Sequence, residues 1–421
     1  MKDPAALLPA VRIDELDNGL TVGTVEDRRS PIVAVALAYR AGARDEVADH
    51  AGVAHFLEHM MFKGSPGYGP GEIDRLTRVL GGSNNAFTSH DATVYHFTFA
   101  SDRWRQALEI EADRMAALTL DPVEVDSERR VILEELAMYE SEPWDALEMR
   151  VVSDFFGSHP YGRPVLGTRD SLRAIDAVVL GDFHRRYYRP SNAVLVVAGD
   201  VGPEVPAAVA ESFGAVDGEV TSRPAMPAAD WPRELCRIER RQGQVPRLLL
   251  TLPGPGAGDP DHPLLMLLLA VLGSGRSSRL YRGLVDEGQL CSWVSTELFD
   301  TTAAGALVFA LELVPGVEPE QVEDELLSAV DRLGAEGPTA EEVARAKKIL
   351  LADWIFGHER VTQLSFAMAS ALAFFDAEHP RRYLRRLLAA EMAELRELAA
   401  RFLRPGAGGV LGWSLPRESS P

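Results

Sequence analysis

The chain has 421 residues, 46% hydrophobic and 25% charged, with a formal net charge of −20 and a pI near 5.0. This describes a globular protein of about two to three domains. The acidity excludes nucleic acid and anionic membrane as partners, since both require a basic face.

No stretch approaches the roughly 18 apolar residues of a membrane span, and the N-terminus lacks a long apolar core behind its single lysine. The expectation is a cytoplasmic protein, with the periplasm left open. Cys236 and Cys291 lie far apart in sequence and read as two buried small hydrophobes rather than as a disulfide or metal-binding pair.

In chain order, residues 11–16 and 20–25 flank the turn Asp17-Asn18-Gly19 and predict a hairpin. An apolar strand follows at 32–39, then a loop leading to a helix around His55 and a second helix at 71–80, ended by Gly81-Gly82. Residues 85–100 are rich in β-branched and aromatic types and predict one or two strands. Acidic amphipathic helices are expected at 102–118 and 122–140, another after Trp144, and one ending at Tyr187. The apolar run 193–200 reads as a central strand.

The Pro-rich, polar stretch 217–232 reads as a linker between an N-terminal domain, 1–216, and a C-terminal domain, 233–421. The second half restarts the same programme: a short strand at 236–239, a turn at Gln242-Gly243, a strand at 247–252 and an apolar helix at 263–272. This helix takes the slot of the His55 helix but holds no histidine after Pro263. The pattern predicts a duplicated α+β unit with its chemistry in one copy. Thr339 and Glu342 form a capping-box start to a helix through 355, and 381–403 is expected to be mainly helical.

The stretch that carries chemistry is His55-Phe56-Leu57-Glu58-His59. On a helix, residues i, i+3 and i+4 share one face, so both imidazoles and the carboxylate point the same way. Two such histidines suit a zinc ion, and the glutamate beside them suits a general base. His-x-x-Glu-His is the inverzincin order. A catalytic zinc site takes three protein ligands, and the helix expected at 122–140 offers Glu128, Glu134 and Glu135 for the third. Glu128 and Glu135 are two turns apart on one face, so one could bind metal while the other supports the site. Helices of this composition also expose glutamates for solubility, and spacing alone favours that plainer reading.

His55-x-x-Glu58-His59 followed by Glu128-Arg-Arg-Val-Ile-Leu-Glu-Glu135 resembles the pitrilysin family of zinc peptidases, which includes insulin-degrading enzyme and the mitochondrial processing peptidases. Their glutamate ligand lies some 76 residues beyond the second histidine, and Glu135 stands 76 residues beyond His59. The resemblance extends to Gly81-Gly82-Ser-Asn-Asn85-Ala86-Phe-Thr88 with Thr93-x-Tyr95, to residues 160–168, to Tyr188-x-Pro190-x-Asn192 with Gly199-Asp200, and to residues 275–281. It implies two homologous α+β domains, each a mainly antiparallel sheet covered by helices, forming a clamshell. It further implies one Zn²⁺ per chain on His55, His59 and Glu135, with Glu128 in support and Glu58 as the base that takes a proton from water and returns it to the leaving amine. Asn85 and Ala86 match the edge strand along which a peptide substrate lies as an added strand, although Asn85 could equally be a turn residue after Gly81-Gly82.

The chain departs from self-sufficient members at one place. They carry an arginine and, seven residues later, a tyrosine that help stabilise the oxyanion. Here those slots hold Val285 and Ser292, and shifting by one gives Asp286 and Trp293. Loss of one such donor costs about 100- to 1,000-fold in rate. The chain therefore resembles the zinc-bearing subunit of bacterial heterodimers whose partner supplies the Arg/Tyr pair. The alternative is a non-proteolytic scaffold like the respiratory-complex core subunits.

Overall fold

The computed structural model describes residues 8–218 and 222–417, so residues 219–221 of the expected linker lie outside the described ones. The first half runs β1 (Val11–Glu15), β2 (Thr21–Glu26), β3 (Ile32–Tyr39), α1 (Val53–Met60), α2 (Glu72–Val79), β4 (Ser83–Thr88) and β5 (Thr93–Ala100). It continues with α3 (Arg105–Ala116), α4 (Pro122–Ser141), α5 (Pro143–Phe156), α6 (Arg169–Ala174), α7 (Ala177–Tyr187), β6 (Ala193–Gly199) and α8 (Val205–Phe213). The second half holds β7 (Leu235–Arg241), β8 (Arg247–Pro255), α9 (His262–Gly273), a π-helical segment (Tyr281–Glu287), β9 (Cys291–Phe299) and β10 (Ala304–Leu313). The chain then forms α10 (Pro319–Glu336), α11 (Ala340–Phe356), α12 (Val361–Phe374), α13 (His379–Leu388), α14 (Met392–Phe402) and β11 (Gly409–Leu415).

Two sheets result, in the orders β1-β2-β6-β3-β5-β4 and β7-β11-β8-β10-β9. In the first, only the β2–β6 pair is parallel. In the second, only β7–β11 is parallel. With β1 set aside, the two orders correspond strand for strand, including the place of the parallel pair, which is the duplication expected from the element pattern. The fold is α+β with two mainly antiparallel, helix-covered sheets. The inner strands carry the core: every residue of β6 is buried, as are Leu248, Leu250 and Leu252 of β8. Each such leucine contributes about 1.5–3 kcal/mol by leaving water.

The chain divides into two compact units. The first comprises residues 1–136, 163–225 and 355–381, and the second 137–162, 226–354 and 382–421. A cut through 217–232 thus separates the two sheets but not the two units. Helix α12, from the second half of the sequence, covers β3 and β6, and α5, from the first half, covers β8 and β11. Leu147, Val151 and Phe155 of α5 pack with Leu249, Ala306 and Val410 in one buried cluster.

The sequence reading did not anticipate β9, β10, α10, α12 or β11. The stretch 381–403 is mainly helical as expected, divided into α13 and α14, with Glu391 and Glu394 forming a capping box that restarts the chain as α14. Cys291 is buried as expected, but Cys236 is exposed, on the edge strand β7, where no residue is fully buried.

Candidate metal and catalytic site

Helix α1 is positioned by the loop before it. Gly52 has φ +92°, and a Cβ there would stand 2.8 Å from the Leu166 carbonyl oxygen, so only glycine allows this approach. The Gly52 and Ala54 amides donate to the Glu46 carboxylate at 2.8 and 2.9 Å, which caps the first turn where the helix dipole is positive. Burial pushes the Glu46 carboxyl up to about 8 against the pull of those two amides.

From α1, His55 and His59 direct Nε2 towards Glu135 of α4, at 3.8 and 3.6 Å from its Oε2. Potential donor atoms of His55, His59 and Glu135 all lie within 4.8 Å of one another. Zinc–ligand bonds near 2.0–2.1 Å in a tetrahedron separate the ligand atoms by about 3.4 Å, so this donor set fits the ion in chemistry and spacing. Burial, then the neighbouring His59, lowers His55 to about 3, leaving a neutral imidazole able to donate its lone pair. Glu134, the remaining glutamate that α4 offers, is exposed.

Glu128 lies two turns from Glu135 on the same face of α4 and is buried. Its Oε1 shares a 2.8 Å hydrogen bond with His59 Nδ1, and its Oε2 takes Lys63 Nζ at 2.6 Å. Burial raises its carboxyl, but the bonds from His59 and Lys63 outweigh this and hold it low. Such a partner fixes which ring nitrogen of the imidazole faces a metal. Glu58 stands beside the triad, half-buried, with its Oε2 accepting a 2.5 Å hydrogen bond from the Thr88 hydroxyl. Burial raises its carboxyl and the Thr88 bond draws it back.

Asn85 and Ala86 lie in β4, at the edge of the first sheet, where β5 is their only neighbouring strand. Asn85 is thus in a strand rather than a turn; its side chain is exposed and that of Ala86 half-buried. In the second half, Val285 sits in the π-helical segment and packs on the core, while the Ser292 hydroxyl donates to the Glu312 carbonyl at 3.2 Å. Asp286 is exposed, and the exposed Trp293 meets Trp144 edge-on at 5.6 Å. None of these four positions carries a guanidinium or phenol.

Residues 21–169 match the profile described as Insulinase (Peptidase family M16), and residues 174–350 that described as Peptidase M16 inactive domain. The chain belongs to peptidase family M16. An uncharacterized zinc protease of Mycobacterium tuberculosis is 32% identical over 100% of this chain and 97% of its own length. Zinc protease PqqE of Helicobacter pylori is 27% identical over 94% and 91%, and the bovine mitochondrial-processing peptidase subunit beta 27% over 94% and 82%. A solved protease from Helicobacter pylori superposes with a TM-score of 0.90 at 25% identity, covering 97% of this chain and 100% of its own. The first half of the periplasmic protease PqqL of Escherichia coli shares the fold, with a TM-score of 0.79 at 21% identity over 98% and 93%. Among the described residues, no helix is long and apolar enough to cross a membrane. The names of these M16 relatives support a peptidase function that uses zinc.

Sequence reasoning missed two contributors. Lys63 lies in the turn just past the end of α1, four residues after His59, where a cation follows the second histidine closely in sequence. Thr88 stands in a stretch that carries the family resemblance, but nothing there points to Glu58, because their meeting arises from the packing of α1 against β4.

Proposed function

We propose that the chain is a zinc-dependent endopeptidase acting on short or unfolded peptides, and that it works with a homologous subunit supplying the Arg/Tyr pair. The observation that carries this reading is the convergence of His55, His59 and Glu135 with Glu58 beside them. Those three side chains would hold one Zn²⁺, which when bound supplies Lewis acidity to a water and to the scissile carbonyl. Glu58 accepts the proton of the attacking water and delivers it to the leaving amine, so one carboxylate serves both half-steps. Glu128 keeps the His59 ring in the tautomer that presents Nε2. Asn85 and Ala86 offer the backbone of an edge strand to an extended peptide, gripping it without reading its side chains.

Val285 and Ser292 favour dependence on a partner, because Val285 has no donor and the Ser292 hydroxyl is committed to the Glu312 carbonyl, leaving neither a guanidinium nor a phenol for a developing oxyanion. They also favour the competing reading, a scaffold without turnover. Metal analysis and turnover separate the two: the peptidase binds about one zinc per chain, and Glu58→Gln retains that zinc while losing cleavage of an unstructured peptide. A zinc-free native chain supports the scaffold. Adding an Arg/Tyr-bearing homologue should raise the rate about 100-fold or more; full activity from the chain alone removes the partner.

A further inference from the structure

Beneath Glu58 runs a chain of hydroxyls. The Thr88 hydroxyl is 2.5 Å from Glu58 Oε2 and 3.4 Å from the Thr93 hydroxyl. Thr93 is fully buried and donates its one proton to the Ala41 carbonyl at 3.0 Å. Tyr188 hydrogen-bonds to Thr93, and its hydroxyl lies 3.2 Å from that of Tyr95. Over the Tyr95 ring, 4.2 Å from its centroid, sits the buried guanidinium of Arg114. With Thr93's proton committed to Ala41, Thr88 has one short acceptor for its own, and that acceptor is Glu58.

Thr88 and Thr93 face each other across the β4–β5 ladder. The hydroxyl that meets Glu58 is therefore fixed by a sheet rather than by a mobile loop. We propose that Thr88 is a positioning residue for Glu58: its hydroxyl aims the carboxylate into the space beside His55, His59 and Glu135. The same strand that would receive the peptide through Asn85 and Ala86 then also sets the direction of the base. A peptide added along β4 ties down the Thr88 backbone, which couples substrate binding to alignment of the base.

This inference rests on Glu58 acting as the base, and the test keeps the two apart. Thr88→Val preserves shape and strand preference while deleting the hydroxyl, and Thr88→Ser restores the hydroxyl alone. In single-turnover cleavage of an unstructured peptide by the zinc-loaded chain, Thr88→Val should lower the rate constant about 10- to 100-fold. The peptide concentration giving half the maximal rate and the zinc content should stay as in the wild type, and Thr88→Ser should recover most of the loss. A crystal structure of Thr88→Val should show the Glu58 carboxylate in a different rotamer. An unchanged rotamer overturns the proposal, as does a wild-type rate, a loss that Ser fails to rescue, or a loss explained by missing zinc. If Glu58→Gln turns over normally, the base assignment falls, and the Thr88 inference is decided by the carboxylate's position alone.

Discussion

His59 and Glu128 are joined by a 2.8 Å hydrogen bond between Nδ1 and Oε1, and the same carboxylate holds Lys63 at 2.6 Å. One imidazole of the candidate metal site is thus oriented through its far nitrogen by a buried anion that is itself charge-compensated. Glu128→Ala should weaken zinc binding about 10- to 100-fold. Competition titration against a chelator measures this. Lys63→Met should have a smaller effect in the same direction, since Glu128 would still bond His59. An affinity unchanged in Glu128→Ala would remove its orienting role.

Glu46 gives a pH dependence whose sign can be worked out. Its ordinary value is 4.5 and burial raises it to about 8 in the folded chain. The folded state therefore binds more protons than the unfolded state between these values, and its contribution to stability is full below pH 4.5 and lost as pH rises through 8. Glu46→Gln stays neutral throughout. The difference in Tm between wild type and Glu46→Gln, both metal-free, should shift against the wild type between pH 5 and pH 9. A shift in its favour would mean that the Gly52 and Ala54 amides outweigh burial. Glu46→Ala removes the cap at any pH and should cost about 0.5–2 kcal/mol.

A second buried charge lies in the core of the first unit. Arg114 and Glu111, one helical turn apart on α3, are both essentially inaccessible and pair through two bonds of 2.6 and 2.9 Å. Removing one partner strands the other in low dielectric, so Glu111→Leu or Arg114→Met alone should cost about 3–5 kcal/mol in urea denaturation. The double substitution should recover much of that loss. If the double variant is as unstable as the sum of the singles, the pair is not the unit of stability.

The site was more legible in the sequence than the fold around it. His55, Glu58 and His59 declare themselves because one helix supplies all three at fixed spacing. Glu128 and Glu135 were ambiguous by spacing among many exposed glutamates, and only the family resemblance singled out Glu135. Thr88 was legible as part of a family-like stretch but not as a partner of Glu58, because that contact joins a helix and a strand 30 residues apart. In the fold, β10 escapes because its unbroken apolar run, Ala304–Leu311, suits a buried strand and a buried helix equally. The nearly uniform apolar α12 hid its affiliation for the same reason, since no polar face shows which sheet it covers.

The stretch read as a linker is anchored in ways that composition could not reveal, Arg223 among them. Arg223 donates through Nε and Nη2 to both oxygens of Asp45, at 2.8 and 2.7 Å, and through Nη2 to the Asp91 carbonyl at 2.7 Å. Asp45 is buried in the loop that leads to α1, where its Oδ2 also accepts the Gly42 amide at 3.1 Å. Arg223 therefore ties the end of the first unit's second segment, 163–225, to the approach to the candidate metal site. Arg223→Ala leaves a buried carboxylate with its forked partner gone and should cost about 1.5–3 kcal/mol. Arg223→Lys keeps the charge but cannot span both oxygens in a plane, so it should recover only part of that loss. Urea denaturation of the three proteins orders them wild type, Lys, Ala. Equal stability of the Lys variant and the wild type would show that charge alone, rather than the fork, holds the strap.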